Sequence, residues 1–178
     1  MKKFSLSSLF LMLLVMTSCD KATEVSFDSQ LSQTSDEIAV NESTQNKTTN
    51  APFSTSFVLS LDNSDTHDYL DQLKDLDLSD MKLSFTGLSG LAGNTTVVDL
   101  TIIVDNQIVI NIPNFNFDMV AQGDPIMITD TQKINQIATR LLDRKKINIE
   151  ISGSIPSSDT YHFRIKLQAK ATITADAL

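Results

Sequence analysis

The strongest constraint on the fold is an alternation of apolar and polar residues near the end of the chain. Over the thirteen residues from Tyr161 to Ile173, every second side chain is apolar: Tyr161, Phe163, Ile165, Leu167, Ala169, Ala171 and Ile173. Successive side chains of a strand point to opposite faces, so this pattern predicts a strand with one buried face. At about 3.3 Å per residue the strand is roughly 40 Å long, and we expect it to bend or to cross from sheet to sheet.

The same alternation predicts shorter strands upstream. They start at Phe53, Met81, Val98, Ile108 and Ile147, and shorter ones cover Phe115–Val120 and Ile126–Ile128. A hairpin joins the strands that end at Val104 and start at Ile108. A three-residue loop, Asp105–Gln107, places Val104 opposite Ile108, so both apolar rows face one core, with Asn106 or Gln107 in the left-handed conformation. Pro156–Asp159 is predicted to turn the last hairpin.

Two short helices complete the prediction. Ser64 and Asp65 can cap a helix that carries Tyr69, Leu70 and Leu73, and a capping box from Thr129 to Gln132 opens a second helix. Strands dominate and the helices only connect them. The sequence therefore predicts a mainly β fold over residues 53–178, a two-layer antiparallel β-sandwich of immunoglobulin-like type with two short connecting helices.

The beginning of the chain has the pattern of an export signal. Lys2 and Lys3 precede an apolar run, Phe4–Met16, which ends in Thr17, Ser18 and Cys19, the single cysteine of the chain. A run of about thirteen residues spans roughly 20 Å as a helix, which is shorter than the roughly 30 Å hydrocarbon core of a bilayer. It therefore has the length of a signal segment rather than of a membrane span.

This segment resembles a bacterial lipoprotein (type II) signal peptide with its lipobox. The resemblance implies cleavage after residue 18, diacylglycerol on the Cys19 thiol and usually a further acyl chain, such as palmitate, on the new amino group. Two or three acyl chains, at about 0.8 kcal/mol per buried CH₂, make attachment to a membrane effectively permanent. The order of strands and helices is also similar to the layout of uncharacterised Gram-negative envelope lipoproteins.

The implied location is the cell envelope, with the domain in the periplasm or at the cell surface. We expect the outer membrane rather than the inner one, although Asp20 is the residue that retains some Gram-negative lipoproteins in the inner membrane. Residues 19–52 are polar and acidic, and we expect them to form a flexible tether after the lipidated Cys19. Its root-mean-square reach is roughly 30 Å.

Charge and composition exclude several functions. The formal charge of −8 gives no attraction to phosphate backbones, so nucleic acid is not an expected partner. One cysteine and two histidines cannot build a zinc site, and no cofactor motif occurs. His162 falls on the polar row of the last strand, where a surface role is expected. We therefore expect no enzyme activity.

An acidic stretch is the first candidate binding site. Seven aspartates lie between residues 62 and 80: Asp62, Asp65, Asp68, Asp71, Asp75, Asp77 and Asp80. Carboxylate oxygens are calcium ligands, and Asp62, Asp65, Asp68, Asp75 and Asp77 are the weak candidates for such a site. The stretch lacks the glycine and the glutamate of an EF-hand loop, and a solvated acidic face is the favoured interpretation.

The second candidate is a basic strip on the last strand, formed by Arg164, Lys166 and Lys170. Residues 53–130 hold twelve acids and two bases, whereas residues 131–178 hold four acids and eight bases. The strip could contact an anionic partner such as lipopolysaccharide or an acidic protein. Alternatively it pairs with acidic groups of its own sheet, which is the interpretation we favour because opposite charges on neighbouring strands stabilise a sheet.

These features predict a lipid-anchored envelope protein that acts as a non-catalytic binding or structural module. Its expected contacts are the membrane, through acyl chains on Cys19, and an envelope protein or glycan. The alternative is a carrier of a small hydrophobic or lipid ligand, with the apolar rows lining a cavity. Since each sheet must bury one face in any case, core packing is the simpler explanation of those rows.

Overall fold

The computed structural model describes residues 24–41, 50–89, 96–116, 123–155 and 160–177. These residues are mainly β and form two antiparallel sheets. The strands are β1 (Glu24–Thr34), β2 (Ile38–Val40), β3 (Ala51–Ser60), β4 (Leu73–Ser89), β5 (Thr96–Val104), β6 (Ile108–Asn116), β7 (Ile126–Met127), β8 (Lys146–Ile155) and β9 (Tyr161–Asp176). Between the strands, the described part of the chain also contains one α-helix, α1 (Thr131–Arg144), and one 3-10 turn, His67–Tyr69.

The strands pair in a nested order, first with last. In the first sheet, β9 pairs with both β1 and β2 on one side and with β4 on the other, and β7 follows β4 at the edge. In the second sheet the order is β3, β8, β5, β6. Each strand pair therefore encloses the next one along the chain: β1 with β9, then β3 with β8, then β4 with β7, and innermost β5 with β6. A ribbon of nested hairpins wrapped into two sheets is a jelly-roll sandwich.

The two-layer antiparallel arrangement is as predicted, but the immunoglobulin-like type is not confirmed. In an immunoglobulin sandwich the first and last strands have neighbours close in sequence, in sheets ordered ABED and CFG. Here the first strand pairs with the last one over eleven residue pairs, from Glu24 with Asp176 to Thr34 with Lys166. Apolar alternation specifies which face of a strand is buried, but it does not specify which other strand pairs with it. The sequence therefore could not distinguish a jelly-roll sandwich from an immunoglobulin-like one.

The core lies between the inward faces of the two sheets. On β9 every odd-numbered residue from Tyr161 to Ala175 is buried. Leu100, Ile102 and Val104 of β5 and Ile147, Ile149 and Ile151 of β8 oppose them from the second sheet, each with at most 1% of its surface exposed. Each such side chain contributes about 1.5–3 kcal/mol by leaving water, so the alternating rows are a main source of the stability of the fold.

The β5–β6 hairpin has the predicted register. Val104 pairs with Ile108, and Asp105–Gln107 forms the turn. Asn106 has a positive φ of 58°, as predicted, and Asp105 has one of 49°. Gln107 has no positive φ, so the left-handed pair is Asp105 and Asn106. Asp and Asn tolerate this conformation better than other residues with a side chain, which explains why the turn can be this tight.

β9 is longer than predicted and stays within one sheet. It covers 16 residues, and its partners β1, β2 and β4 all belong to the same sheet. Of the two predicted alternatives, bending or crossing to a second sheet, the crossing is therefore wrong. Length is accommodated instead by β1 and β2, which together cover one side of β9, and by register shifts on β4, one of them between Ser79 and Lys82. Such bulges bend a strand without breaking the sheet.

The predicted tether over residues 19–52 is corrected in its central part. Glu24–Thr34 is a strand at the edge of the first sheet, and Ile38–Val40 is a second one; Cys19 itself lies outside the described residues. The inward row of β1 contains Val25, Phe27 and Leu31 but is interrupted by Ser29, which is buried. The sequence shows no clear alternation here because Ser29 interrupts the apolar row. In the structure the buried Ser29 hydroxyl donates a hydrogen bond to Asp65.

The helices also differ from the prediction. The segment after Ser64 forms only the 3-10 turn His67–Tyr69, and Leu73 begins β4 instead of ending a helix. α1 is present, but its N-cap is Asp130, whose Oδ1 accepts a hydrogen bond of 3.0 Å from the Lys133 N–H. Either Thr129 or Asp130 could cap by residue type. The predicted turn Pro156–Asp159 and residues 117–120 of the strand predicted over Phe115–Val120 lie outside the described residues.

Candidate functional site

The candidate calcium ligands are separated by the fold. Asp65 Oδ2 accepts a hydrogen bond of 2.9 Å from the Ser29 hydroxyl, and Asp62 Oδ1 lies 2.8 Å from His67 Nδ1. Asp75 and Asp77 lie on the outward face of β4, and Asp68 lies in the 3-10 turn. Within the described ranges, no three His, Cys, Asp or Glu side chains are grouped in a way that could hold a metal ion.

The Asp62 contact changes the titration of its partner. The hydrogen bond that the His67 ring donates to Asp62, together with the negative charge of that carboxylate, raises the pKa of His67 above 6.5. A charged His67 therefore pairs with Asp62 at the solvent-exposed edge of the loop. Asp62, one of the candidate calcium ligands, is therefore the ion-pair partner of His67.

The basic strip is largely paired with acids of its own sheet. Lys170 Nζ lies 2.6 Å from Asp80 Oδ2 on the neighbouring β4, and Arg164 Nη2 lies 3.7 Å from Glu37 Oε2. The hydrogen bond to Asp80 raises the pKa of Lys170 and lowers that of Asp80. Among the described residues, Lys166 has no ion-pair partner. This geometry favours internal pairing over an anion-binding strip.

His162 is a further residue of this face. Its Nδ1 lies 3.4 Å from Glu37 Oε1, next to the Arg164 contact with the same carboxylate. Glu37 follows β1 and immediately precedes β2, so the connection between those strands brings its charge to the Arg164 end of the basic strip. Ion pairs with Glu37 therefore connect the polar row of β9 to the edge of its own sheet.

A cleft that the sequence did not indicate lies along α1. It has a volume of about 410 Å³, and we call it the α1 cleft. Its lining residues come from one side of α1 and from the β5–β6 hairpin: Gln107, Ile108, Gln136, Thr139, Arg140, Asp143 and Arg144. On a helix, positions three and four apart share a face, which explains why residues 136, 140, 143 and 144 converge on the cleft.

Asp105 holds the two arginines of the cleft in place. Its Oδ2 lies 3.1 Å from Arg144 Nη1 and 3.6 Å from Arg140 Nη1, while its Oδ1 accepts a hydrogen bond of 2.9 Å from the Asn148 N–H. Arg140 Nη2 donates to the Gln107 side-chain oxygen. The Arg140 side chain is 20% exposed and that of Asp105 only 9%, so these charges interact in a partly desolvated environment.

The α1 cleft lies at a defined end of the sandwich. β8 starts at Lys146, directly after the helix, where the Leu61 N–H donates to the Lys145 carbonyl at 2.8 Å. The end of β8, at Ile155, is close to the start of β9, so the start of β8 and the end of β9 lie together at the other end of the sandwich. β1 begins at that same end, because Glu24 pairs with Asp176 at the end of β9. We call this the Glu24 end of the sandwich.

Residue type and spacing indicated only part of this site. Arg140 and Arg144 are recognisable as cations that complement the carbonyl end of α1, which is a common structural role. Nothing in the sequence places Asp105 and Gln107, more than thirty residues upstream, against that helix turn. The signal that could have pointed to the contact is the excess of cations, Arg140, Arg144, Lys145 and Lys146, within seven residues.

The comparisons with known proteins give no family. No protein-family model matches the chain, and no curated protein matches it. Among solved structures, a crystal structure of the decameric BFDV capsid protein matches at 12% sequence identity and a TM-score of 0.43, covering 84% of this chain and 99% of that one. This degree of similarity assigns neither a family nor a function. Across the described ranges, no helix has the length and apolar composition needed to cross a membrane.

Proposed function

We propose that the protein is a lipid-anchored component of the cell envelope that acts as a non-catalytic binding or structural module. The observation that carries the proposal is the order of a basic start, an apolar run and a single cysteine, Cys19, within the first nineteen residues. The attachment is through acyl chains on Cys19, and the domain belongs to the periplasm or the cell surface. The outer membrane is the proposed location, and an envelope protein or glycan is the proposed partner.

The start of β1 supports a domain held close to the membrane. Only four residues separate Cys19 from Glu24, the first residue of β1. Five Cα-to-Cα steps reach at most about 18 Å, much less than the reach of the longer tether predicted from composition. A lipid on Cys19 would therefore keep the Glu24 end of the sandwich within about 18 Å of the bilayer surface.

The packing of the sandwich supports a module rather than a carrier. A carrier of a hydrophobic or lipid ligand needs an apolar cavity, whereas the inward rows of β5, β8 and β9 contact each other as one core. The α1 cleft is lined mainly by charged and amide side chains. Lipid that copurifies with the protein and appears in native mass spectra would favour the carrier.

The anchor is tested by changing its sulfur. Replacement Cys19→Ser should abolish incorporation of radiolabelled palmitate and move the protein from the membrane to the soluble fraction. Ser18→Ala, which keeps a small residue before Cys19, is the matched control and should leave both unchanged. If Cys19→Ser still fractionates with membranes, or if the mature protein starts upstream of Cys19, the proposed anchor is wrong.

A further inference from the structure

We propose that the α1 cleft binds a phosphate group and that, in the anchored protein, a lipid headgroup supplies it. The choice of a headgroup as the source rests on the proposed lipid anchor. Phosphate binding itself rests only on the geometry of the cleft and would hold for free phosphate as well. A phosphate is bound in proteins by guanidinium groups and amides, both of which line this cleft.

The first argument is an unused hydrogen-bond donor. Arg140 Nη1 is buried and has no hydrogen-bond partner among the described residues, since Asp105 Oδ2 is 3.6 Å away. An unsatisfied buried donor is unfavourable, and more so when it is charged, so an oxyanion that accepts from it would be stabilised. Arg144, whose side chain is 56% exposed, supplies a second guanidinium at the mouth of the cleft.

The second argument is the local charge. Arg140 and Arg144 share a single carboxylate, that of Asp105, and Lys145 and Lys146 follow directly in the chain. Asp143 is the opposing charge of the cleft lining and is exposed. The segment from residue 140 to 146 together with Asp105 therefore carries four cations and two carboxylates, a local excess that attracts an anion.

The third argument is the position of the cleft relative to the proposed anchor. The α1 cleft and the first residue of β1 lie at the same end of the sandwich, as described above. Because Cys19 is only five steps before Glu24, anchoring would keep this end within about 18 Å of the headgroups, where phosphate is concentrated. Each Lys or Arg near an anionic bilayer surface adds to the attraction between the protein and the membrane.

The test is a calorimetric titration of the full-length lipidated protein, in a neutral detergent, with inorganic phosphate. We expect saturable binding that Arg144→Gln weakens about tenfold, because one charge-assisted donor is lost. Asp143→Asn should have the opposite effect and tighten binding, which a purely structural role of the cleft would not produce. Arg164→Gln removes the same charge on β9, away from the cleft, and should leave the affinity unchanged.

Four results would overturn the assignment of the cleft: no binding by the unmodified protein, undiminished binding by Arg144→Gln, no tightening by Asp143→Asn, or an equal loss with Arg164→Gln. The unfolding temperature of each variant is measured alongside, and Asp143→Asn, at an exposed position without an ion-pair partner among the described residues, is not expected to perturb folding.

The source of the phosphate is tested by repeating the titration in nanodiscs of phosphatidylethanolamine and phosphatidylglycerol. If a headgroup occupies the cleft, the anchored protein no longer binds added phosphate. If it binds phosphate as tightly in nanodiscs as in detergent, the headgroup is the wrong source and free phosphate is the ligand. Failure of the lipid anchor would be seen separately, in the fractionation of Cys19→Ser, without changing the outcome of the titration in solution.

Discussion

Asp105 Oδ2 lies 3.1 Å from Arg144 Nη1, and this ion pair joins the turn of the β5–β6 hairpin to the last turn of α1. The two residues are 39 positions apart in the chain. The same carboxylate accepts a hydrogen bond from the backbone of Asn148 at the start of β8. A single side chain thus connects the hairpin, the helix and the strand that follows it.

We expect Asp105→Asn to lower the free energy of unfolding by about 1–2 kcal/mol, because both arginines lose their carboxylate while the left-handed turn is still tolerated. Urea unfolding followed by circular dichroism measures the change. Asp143→Asn removes the same charge at an exposed position of α1 and is the control. Equal destabilisation by the two variants would contradict a specific role of the Asp105 contacts.

Thr66 is the buried polar residue of the loop before β4, and its hydroxyl donates to the Leu61 carbonyl and accepts from the Asn63 N–H at 3.2 Å. Thr66→Val keeps the shape but leaves both backbone groups unpaired, so we expect a loss of about 1–3 kcal/mol of stability. Thr66→Ser keeps the hydroxyl and should recover most of it. Urea midpoints of the two variants within error of each other would show that the hydroxyl has no such role.

Gly153 of β8 lies where the two neighbouring strands approach closely. A Cβ at this position would be 2.9 Å from the Asp99 carbonyl oxygen and 2.9 Å from Phe53 Cζ. Because the carbonyl belongs to a paired strand, we expect Gly153→Ala to cost about 1–3 kcal/mol through overpacking. The drop in melting temperature is the readout, and Ser152→Ala, on the opposite face of β8, is the control that should change it little.

The His67–Asp62 contact predicts a pH dependence. The folded-state pKa of His67 is raised above 6.5, so the contact stabilises the protein fully below pH 6.5 and this contribution is lost as pH rises through the folded-state pKa. In an NMR titration, we expect the His67 ring signals to report the raised pKa and Asp62→Asn to return it towards 6.5. A His67 pKa that does not respond to Asp62→Asn would remove this explanation.

Calcium should not stabilise the protein. The candidate ligands Asp62 and Asp65 are engaged by His67 and Ser29, and Asp75 and Asp77 lie on a sheet face away from a common centre. We therefore expect the melting temperature to be the same with and without millimolar calcium. A clear increase would show that the aspartates of this stretch gather around the ion after all.

Local patterns in the sequence predicted the elements whose signal is contained within one segment. The alternation of Tyr161–Ile173 identified β9, and the three-residue spacing between Val104 and Ile108 set the hairpin register. For the basic strip, internal pairing stays the favoured interpretation, and Asp80 on the adjacent strand is the ion-pair partner of Lys170. The α1 cleft was not predicted, since Arg140 depends on Gln107 from a different element.

By itself, the sequence determined which residues face the core, because side-chain direction follows the strand and helix periods and burial of apolar surface selects the face. Only the tertiary structure decided which strands are neighbours, because backbone hydrogen-bonding groups are chemically alike in every strand and do not select a particular partner strand. That is why Glu24–Thr34, with Ser29 in its inward row, became an edge strand beside β9 instead of a tether. It is also why Asp105 meets Arg144: a turn and a helix end distant in sequence approach each other only when the hairpins are nested into two sheets.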